Sequence, residues 1–484
     1  MNETPTRSRS GFIMRTMKKE RIQLSDKFTY SRLYRFVMPT IIMMVFTSVY
    51  VVVDGLFVSN LVGDLQFAAL NLIFPLIMIL GSFGFMLGTG GNAVVSKNLG
   101  EGNPKRANEI FSMLIYVTLG AGLFLGLLGC ILARPIARWF VSFEEDMTAE
   151  DRVKMIEYCV LYARIVLFAL PGFMLQNAFQ GFFVTAEKPR LGLYVIVLAG
   201  FANMFFDWLF VAVFNFGLAG AALATAISQL TGGFVPLLYF GRKNDSLLKL
   251  GKTHYEGKTL FAVCLNGSSE LLNNISASIV TILYNSQLMR FAGVDGVSAY
   301  GIIMYASFVF AAIFIGYSIG AAPIVGYNYG ADNKNELQNV LKKSLVSIGG
   351  GGISMAGIAW LLSNALAFIF VKHNPPLYAL TVHGFNIYAF SFLVCGMNIF
   401  ASAFFTALGN GLVSAAISGF RICMQIVTVL IMPIFWQLEG IWYSIVVAEL
   451  LAFLFSVACV YFKRKKYGYF PEKNTQISEK QPSN

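Results

Sequence analysis

The chain has 484 residues, 56% of them hydrophobic and 13% charged, with a mean hydropathy of +0.65. That balance excludes a soluble globular domain and points to a polytopic membrane protein. The formal net charge of +11 sits in short polar connections, which argues against a nucleic-acid-binding face, and six scattered cysteines without a Cys-x-x-Cys pair suggest neither a disulfide framework nor a metal site.

In chain order, residues 1–30 are basic and polar and show no short apolar core ahead of a cleavage site, so they read as a cytoplasmic arm and not a signal peptide. Twelve apolar runs follow, at about 33–60, 66–96, 107–133, 155–184, 191–215, 218–240, 259–291, 297–327, 339–371, 377–408, 411–436 and 440–462. Residues 241–258 form a basic linker between the sixth and seventh runs, and 463–484 a basic tail. With the start of the chain inside, 28 of the 36 Lys and Arg fall on the inner side, so both termini are expected in the cytoplasm. His254, His373 and His383 are expected in or near connections, without partners.

The chain also repeats. Gly90, Val95, Asn98, Gly100 and Asn103 match Gly320, Val325, Asn328, Gly330 and Asn333 at an offset of 230, and Asn177, Phe179, Thr185, Ala186 and Leu191 match Asn398, Phe400, Thr406, Ala407 and Leu412 at 221. Six spans per half is an even number, so the expected architecture is all-α: two six-helix bundles, 31–240 and 259–462, related by a pseudo-two-fold axis along the membrane normal. Gly84-xxx-Gly88, Gly122-xxx-Gly126 and Gly316-xxx-Gly320 are expected to bring helices close together.

Asp54 is a carboxylate inside the first apolar run, where a charge is expensive and marks an ion or substrate path. Asn203 and Asp207 are four apart, on one face of the fifth span. At ~1.5 Å rise per residue, Thr225 in the sixth span and Tyr162 in the fourth fall at a similar depth, in the outer half of the first bundle. Two acids held together in low dielectric cannot both stay ionised cheaply, so such a site can take and release a proton, and the same oxygens can ligate Na⁺. Arg421 and Glu449 lie near mid-membrane in the second half and read as a stabilising pair, with Arg164 partnered elsewhere. No nucleophile, metal-ligand or cofactor motif suggests an enzyme.

These residues carry a resemblance. Pro39, the run Val53-Asp54-Gly55-Leu56-Phe57-Val58, Gly100-Glu101-Gly102-Asn103, and Asn203/Asp207 with Thr225 make the chain resemble the multidrug and toxic compound extrusion (MATE) family, most of all its MepA-type bacterial branch, from about Leu33 to Phe462. The resemblance implies that Asp54, Asn203, Asp207, Thr225 and Tyr162 form a first-lobe site for H⁺ or Na⁺, and that the bend at Pro39 accompanies protonation. Some members also bind cation in the second lobe; here Glu270 is present but no acid stands between Gly384 and Leu408, so Glu270 is expected to be auxiliary. The expected function is secondary export of organic cations and amphiphilic drugs across the inner membrane in exchange for H⁺ or Na⁺, by a monomer without a cofactor, among membrane lipids and without nucleic acid. A path rich in Phe and Met suits such substrates. The runner-up is a lipid-linked oligosaccharide flippase of the same superfamily, which the two acids argue against.

Overall fold

A computed structural model describes residues 22–142 and 148–470; most of the expected arm, and the tail beyond residue 470, lie outside them. Every regular element among the described residues is helical: α1 (Tyr30–Leu61), α2 (Asp64–Gly100), α3 (Pro104–Val141), α4 (Ala149–Phe168), α5 (Leu170–Thr185), α6 (Pro189–Asp207), α7 (Gly217–Gly241), α8 (Gly257–Gly330), α9 (Lys334–Val371), α10 (Pro375–Tyr388), α11 (Phe392–Ala407) and α12 (Gly411–Tyr467). Helix starts follow local chemistry. Thr29, Thr148, Asn333, Asn374 and Asn410 each accept a backbone N–H of the first turn, and proline opens α3, α5, α6 and α10.

Among the described residues nine helical stretches are long and apolar enough to cross a membrane, and α4 with α5, bent by 54° about Ala169, make a tenth. Two of the nine are too long for one crossing. α8 has 74 residues, and at ~1.5 Å per residue it would run ~110 Å if straight. It breaks instead at Gly293, whose φ of 60° suits a residue without Cβ. Tyr284 and Tyr300 then stack at 5.1 Å, where a straight helix would hold them ~24 Å apart. α12 doubles back the same way at Gln437, bringing Phe420 to 4.4 Å from Phe455. Each is a helical hairpin.

Buried side chains gather in two cores built from α1–α8 and a third drawn mainly from α8–α12. The two sets of helices meet at the end of the molecule where α1 begins, through glycines that let backbones touch. A Cβ on Gly316 would lie 2.6 Å from the Cα of Ile41, and one on Gly320 3.1 Å from the Cα of Val37. Gly90 faces Val263 and Gly267, Gly100 faces Tyr327, and Gly330 faces Lys97. The contacts are reciprocal: adding 230 to Gly90 and subtracting it from Gly267 turns that pair into Gly320 and Val37. The other expected glycine pairs also pack, Gly84 on Met174 and Gly122 on Pro171.

A short non-helical segment crosses this same end. Leu24 and Phe28 are fully buried. The Leu24 N–H donates to Glu187 Oε1 (2.9 Å), and the Phe28 N–H to Glu336 Oε1 (2.8 Å). The Phe28 carbonyl accepts from Asn339 and Lys343. Eight residues thus tie the turn after α5 to the start of α9. The connection before α8 is strapped to α3: Lys249 N–H donates to Asn108, Gly251 N–H to Ser112, and Arg106 grips Glu256 with two nitrogens. That guanidinium holds the Glu256 carboxyl down at about 2.

Two expectations need correction. His383 lies within α10, not in a connection, and meets Glu439 across the α12 break at 2.8 Å, because doubling back at Gln437 carries Glu439 to the α10 side. Arg164 is exposed on α4 with its charge beside Cys130; no acidic partner is found for it among the described residues. A long side chain on an outer helix face can reach its own polar surroundings.

Candidate functional site

The site lies toward the end of the bundle opposite the glycine contacts. Asp54 stands two turns before the end of α1, and Asp207 is the last residue of α6, with Asn203 one turn earlier. Asn203 and Asp207 are both buried. After Asp207 the helix widens into a six-residue π turn, Trp208–Val213. Such a widening rotates the residues around it away from regular register and recurs at functional positions. The two carboxylates are neighbours, and the Asn203 side chain reaches Asp54. On the adjoining helices the Tyr162 hydroxyl lies near Thr225 and near both aspartates. The five side chains expected together therefore come together, from α1, α4, α6 and α7.

The cluster is short of partners. Asp54 Oδ1 and both carboxylate oxygens of Asp207 are buried without a hydrogen bond. A buried unsatisfied oxygen costs roughly 1–3 kcal/mol, more when charged, so such a group belongs with a proton or a cation. The donors are carboxylate, amide and hydroxyl oxygens, which suit a hard cation. Among the described residues no three His, Cys, Asp or Glu come together as for a divalent metal.

Sequence reasoning missed two members. Tyr50 lies one turn before Asp54 on the same face of α1, and near it stands Gln176 of α5, whose Oε1 is buried without a partner. The i, i+4 spacing of Tyr50 and Asp54 was a usable signal; Gln176 offered none. Two expected residues stay apart. Pro39 is fifteen residues before Asp54, ~22 Å along α1, and packs at the glycine contacts beside Thr40 and Ile41. Glu270 on α8 pairs with Asn273 and is not among the neighbours of either aspartate.

A second buried polar group lies among α11 and the two limbs of α12. Glu449 accepts from Arg421 Nε (2.7 Å), Gln425 Nε2 (3.1 Å) and Asn398 Nδ2 (2.9 Å), and Asn398 is held in turn by Ser456 (3.0 Å). The expected Arg421–Glu449 pair is thus formed, through the doubling back of α12.

A family model described as MatE matches residues 39–209 and 271–431. The multidrug export protein MepA of Staphylococcus haemolyticus is 21% identical over 452 residues, covering 93% of this chain and 97% of that protein. Among solved structures, a MATE in complex with MaL6 superposes with a TM-score of 0.82 at 20% identity, covering 91% of this chain and 97% of that one. An outward-facing multidrug resistance MATE family transporter of the MOP superfamily superposes at 0.81 with 19% identity, over 91% and 97%. At these identities the superpositions speak for the fold alone. The matched segments contain Asp54, Asn203, Asp207 and Arg421, and leave out Thr225 and Glu270.

Proposed function

The chain belongs to the MatE family, and from that premise we propose that it is a secondary active exporter of organic cations and amphiphilic drugs, driven by exchange for H⁺ or Na⁺. The name of the staphylococcal relative, a multidrug export protein, supports the substrate class. The observation that carries the reading is the contact between Asp54 and Asp207, with three carboxylate oxygens buried and unpartnered. Such a pair binds a proton, a small cation or a cationic substrate, and each of these offsets the same charge. Occupancy is therefore mutually exclusive, and exclusive occupancy turns two binding steps into an exchange. Asn203 orients the Asp54 carboxyl, while Thr225 and Tyr162 add hydroxyl oxygens at the edge of the pair. Glu270 is an auxiliary contact for cationic substrate, and protonation is accompanied by a bend of α1 at Pro39.

Counting each broken helix as two spans gives twelve, in a first lobe over 31–240 and a second over 259–462. The reciprocal glycine contacts support a two-fold relation between the lobes along the membrane normal. The glycine-closed end is the cytoplasmic one, with both termini on that side of the inner membrane, and the lobes rock about it in alternating access. A monomer contains the whole site. Dye efflux from cells expressing the chain tests this directly, with one ionophore collapsing ΔpH and another the Na⁺ gradient. Efflux is expected to stop with one of the two; efflux indifferent to both would sink the exchange mechanism.

A further inference from the structure

Arg421 is the charge that the exchange mechanism leaves unused. It lies ten residues into α12, ~15 Å along the helix from Gly411. Tyr388 from the end of α10 and Cys395 from α11 flank it, and Glu449 comes from the returning limb of α12. It therefore points into the second group of helices and not toward lipid, yet its side chain keeps 26% of its surface accessible while Glu449 keeps 2%.

The hydrogen bonds are unevenly divided. Glu449 accepts three hydrogen bonds, two on one oxygen from Arg421 and Gln425 and one on the other from Asn398. Arg421 gives only its Nε to this arrangement; among the described residues no acceptor is found for its two terminal amino groups. A guanidinium does not shed its proton, so deprotonation offers no escape from a poorly solvated position. A pure structural pair would use the bidentate fork of the guanidinium on the carboxylate. Here Glu449 holds one edge, through Nε, and the two terminal nitrogens are left without an acceptor among the described residues.

We propose that Arg421 is a substrate-binding residue that takes a carboxylate of the transported molecule, so that the second lobe selects zwitterionic amphiphiles, whose cationic centre remains free to compete at the first-lobe pair. The proposal rests on the reading of the chain as an exporter, and it deepens that reading by assigning a second recognition point of opposite sign. The open fork matches a planar carboxylate in two parallel hydrogen bonds, and Gln425 and Asn398 hold Glu449 so that it does not swing out to compete.

The test uses purified protein in uncharged detergent and two probes that differ in one group, a rhodamine dye with a free carboxylate and its methyl ester. Binding is read by fluorescence anisotropy as the ratio of ester Kd to acid Kd. Removing both charges in Arg421→Gln/Glu449→Gln should lower that ratio about tenfold, through the acid alone, with the ester Kd held within about twofold. Arg421→Lys keeps a charge opposite Glu449 but loses the fork, and should lower the ratio by a smaller factor; it keeps the proposal testable if the double variant does not fold. A ratio unchanged in both variants, or acid and ester weakening together, would overturn the assignment and leave a structural pair. So would loss of acid preference on adding an anionic lipid, because the guanidinium would then be holding a headgroup. Binding needs no gradient, so failure of the exporter reading would show separately, as absent efflux with the ratio intact.

Discussion

Replacing either aspartate of the pair by asparagine should separate transport from stability. In Asp207→Asn the two unpartnered carboxylate oxygens become one carbonyl and one amide nitrogen beside the unpartnered Oδ1 of Asp54. The amide donates where an ionised carboxylate could not, and a hydrogen bond to a charged group contributes about 1.5–3 kcal/mol. One buried charge also disappears, which relieves desolvation. Part of the gain is lost to imperfect geometry, so the variant should be more stable by about 1 kcal/mol, a rise of roughly 1–3 °C in Tm. Its efflux should nonetheless fall to background, because a fixed amide neither releases a proton nor yields its charge to a cation. Asp54→Asn should do the same, and the double variant should be no worse than either, since groups that act as a unit are not additive. Dye efflux measured against expression level, with thermal denaturation of the solubilised protein, reads both quantities. Near-full efflux by Asp54→Asn would refute the mechanism; a Tm drop of more than about 10 °C in both single variants would refute the claim that the charge is a cost to the fold.

Glu270→Gln should change substrate preference or apparent affinity more than ion dependence; loss of ion-driven exchange with substrate binding intact would put coupling in the second lobe. Gly316→Leu should cost about 1–3 kcal/mol, because its Cβ would meet the Ile41 backbone. Gly350→Ala, with open space at its Cβ, should leave Tm unchanged or slightly raised, and thermal denaturation compares the two. Glu256 is ionised far below its ordinary value of 4.5 because Arg106 holds it at about 2. The lowered folded value means that its contribution to linker docking is complete above about pH 4.5 and fades as pH falls toward 2. The protection factors of residues 249–253 should therefore fall over that window, after allowance for the slower intrinsic exchange at low pH, and in Glu256→Gln they should be low throughout. Tags at Asn2 and Asn484 should both be cytoplasmic, and a cysteine at Glu145 should label from outside; all three positions lie beyond the described residues, and a C-terminus on the outer side would undo the paired-lobe arrangement.

Hydropathy was enough to place most helix limits within about five residues, because bilayer thickness acts on each segment separately; α3 runs on to Val141, past its expected end at 133, and α4 starts at Ala149, ahead of 155. The site was legible for a related reason. Carboxylates in apolar runs are conspicuous, and a fixed rise converts position into depth, so Asp54, Asp207, Asn203, Thr225 and Tyr162 could be placed at one level before their contacts were known. What stayed hidden depends on packing between segments. The bend at Ala169, the π turn after Asp207 and the one-residue breaks at Gly293 and Gln437 are local responses to neighbours. Gln176 carries no charge to draw notice, and His383 finds Glu439 only because α12 reverses. Residues 22–29 have no periodicity at all, and nothing in them announces that Leu24 and Phe28 are buried.

That last segment has a mechanical meaning. It spans the seam between the two sets of helices at the end where α1 begins, anchored on one bank by Glu187 and on the other by Glu336, Asn339 and Lys343. A single hydrogen bond of this kind, at roughly 1 kcal/mol, shifts the ratio of closed to open molecules about fivefold. The basic arm is joined directly to this strap. Whatever tugs on the arm, an anionic leaflet or a docked protein, pulls on the seam itself, and the start of the chain becomes a handle on the door at its far side.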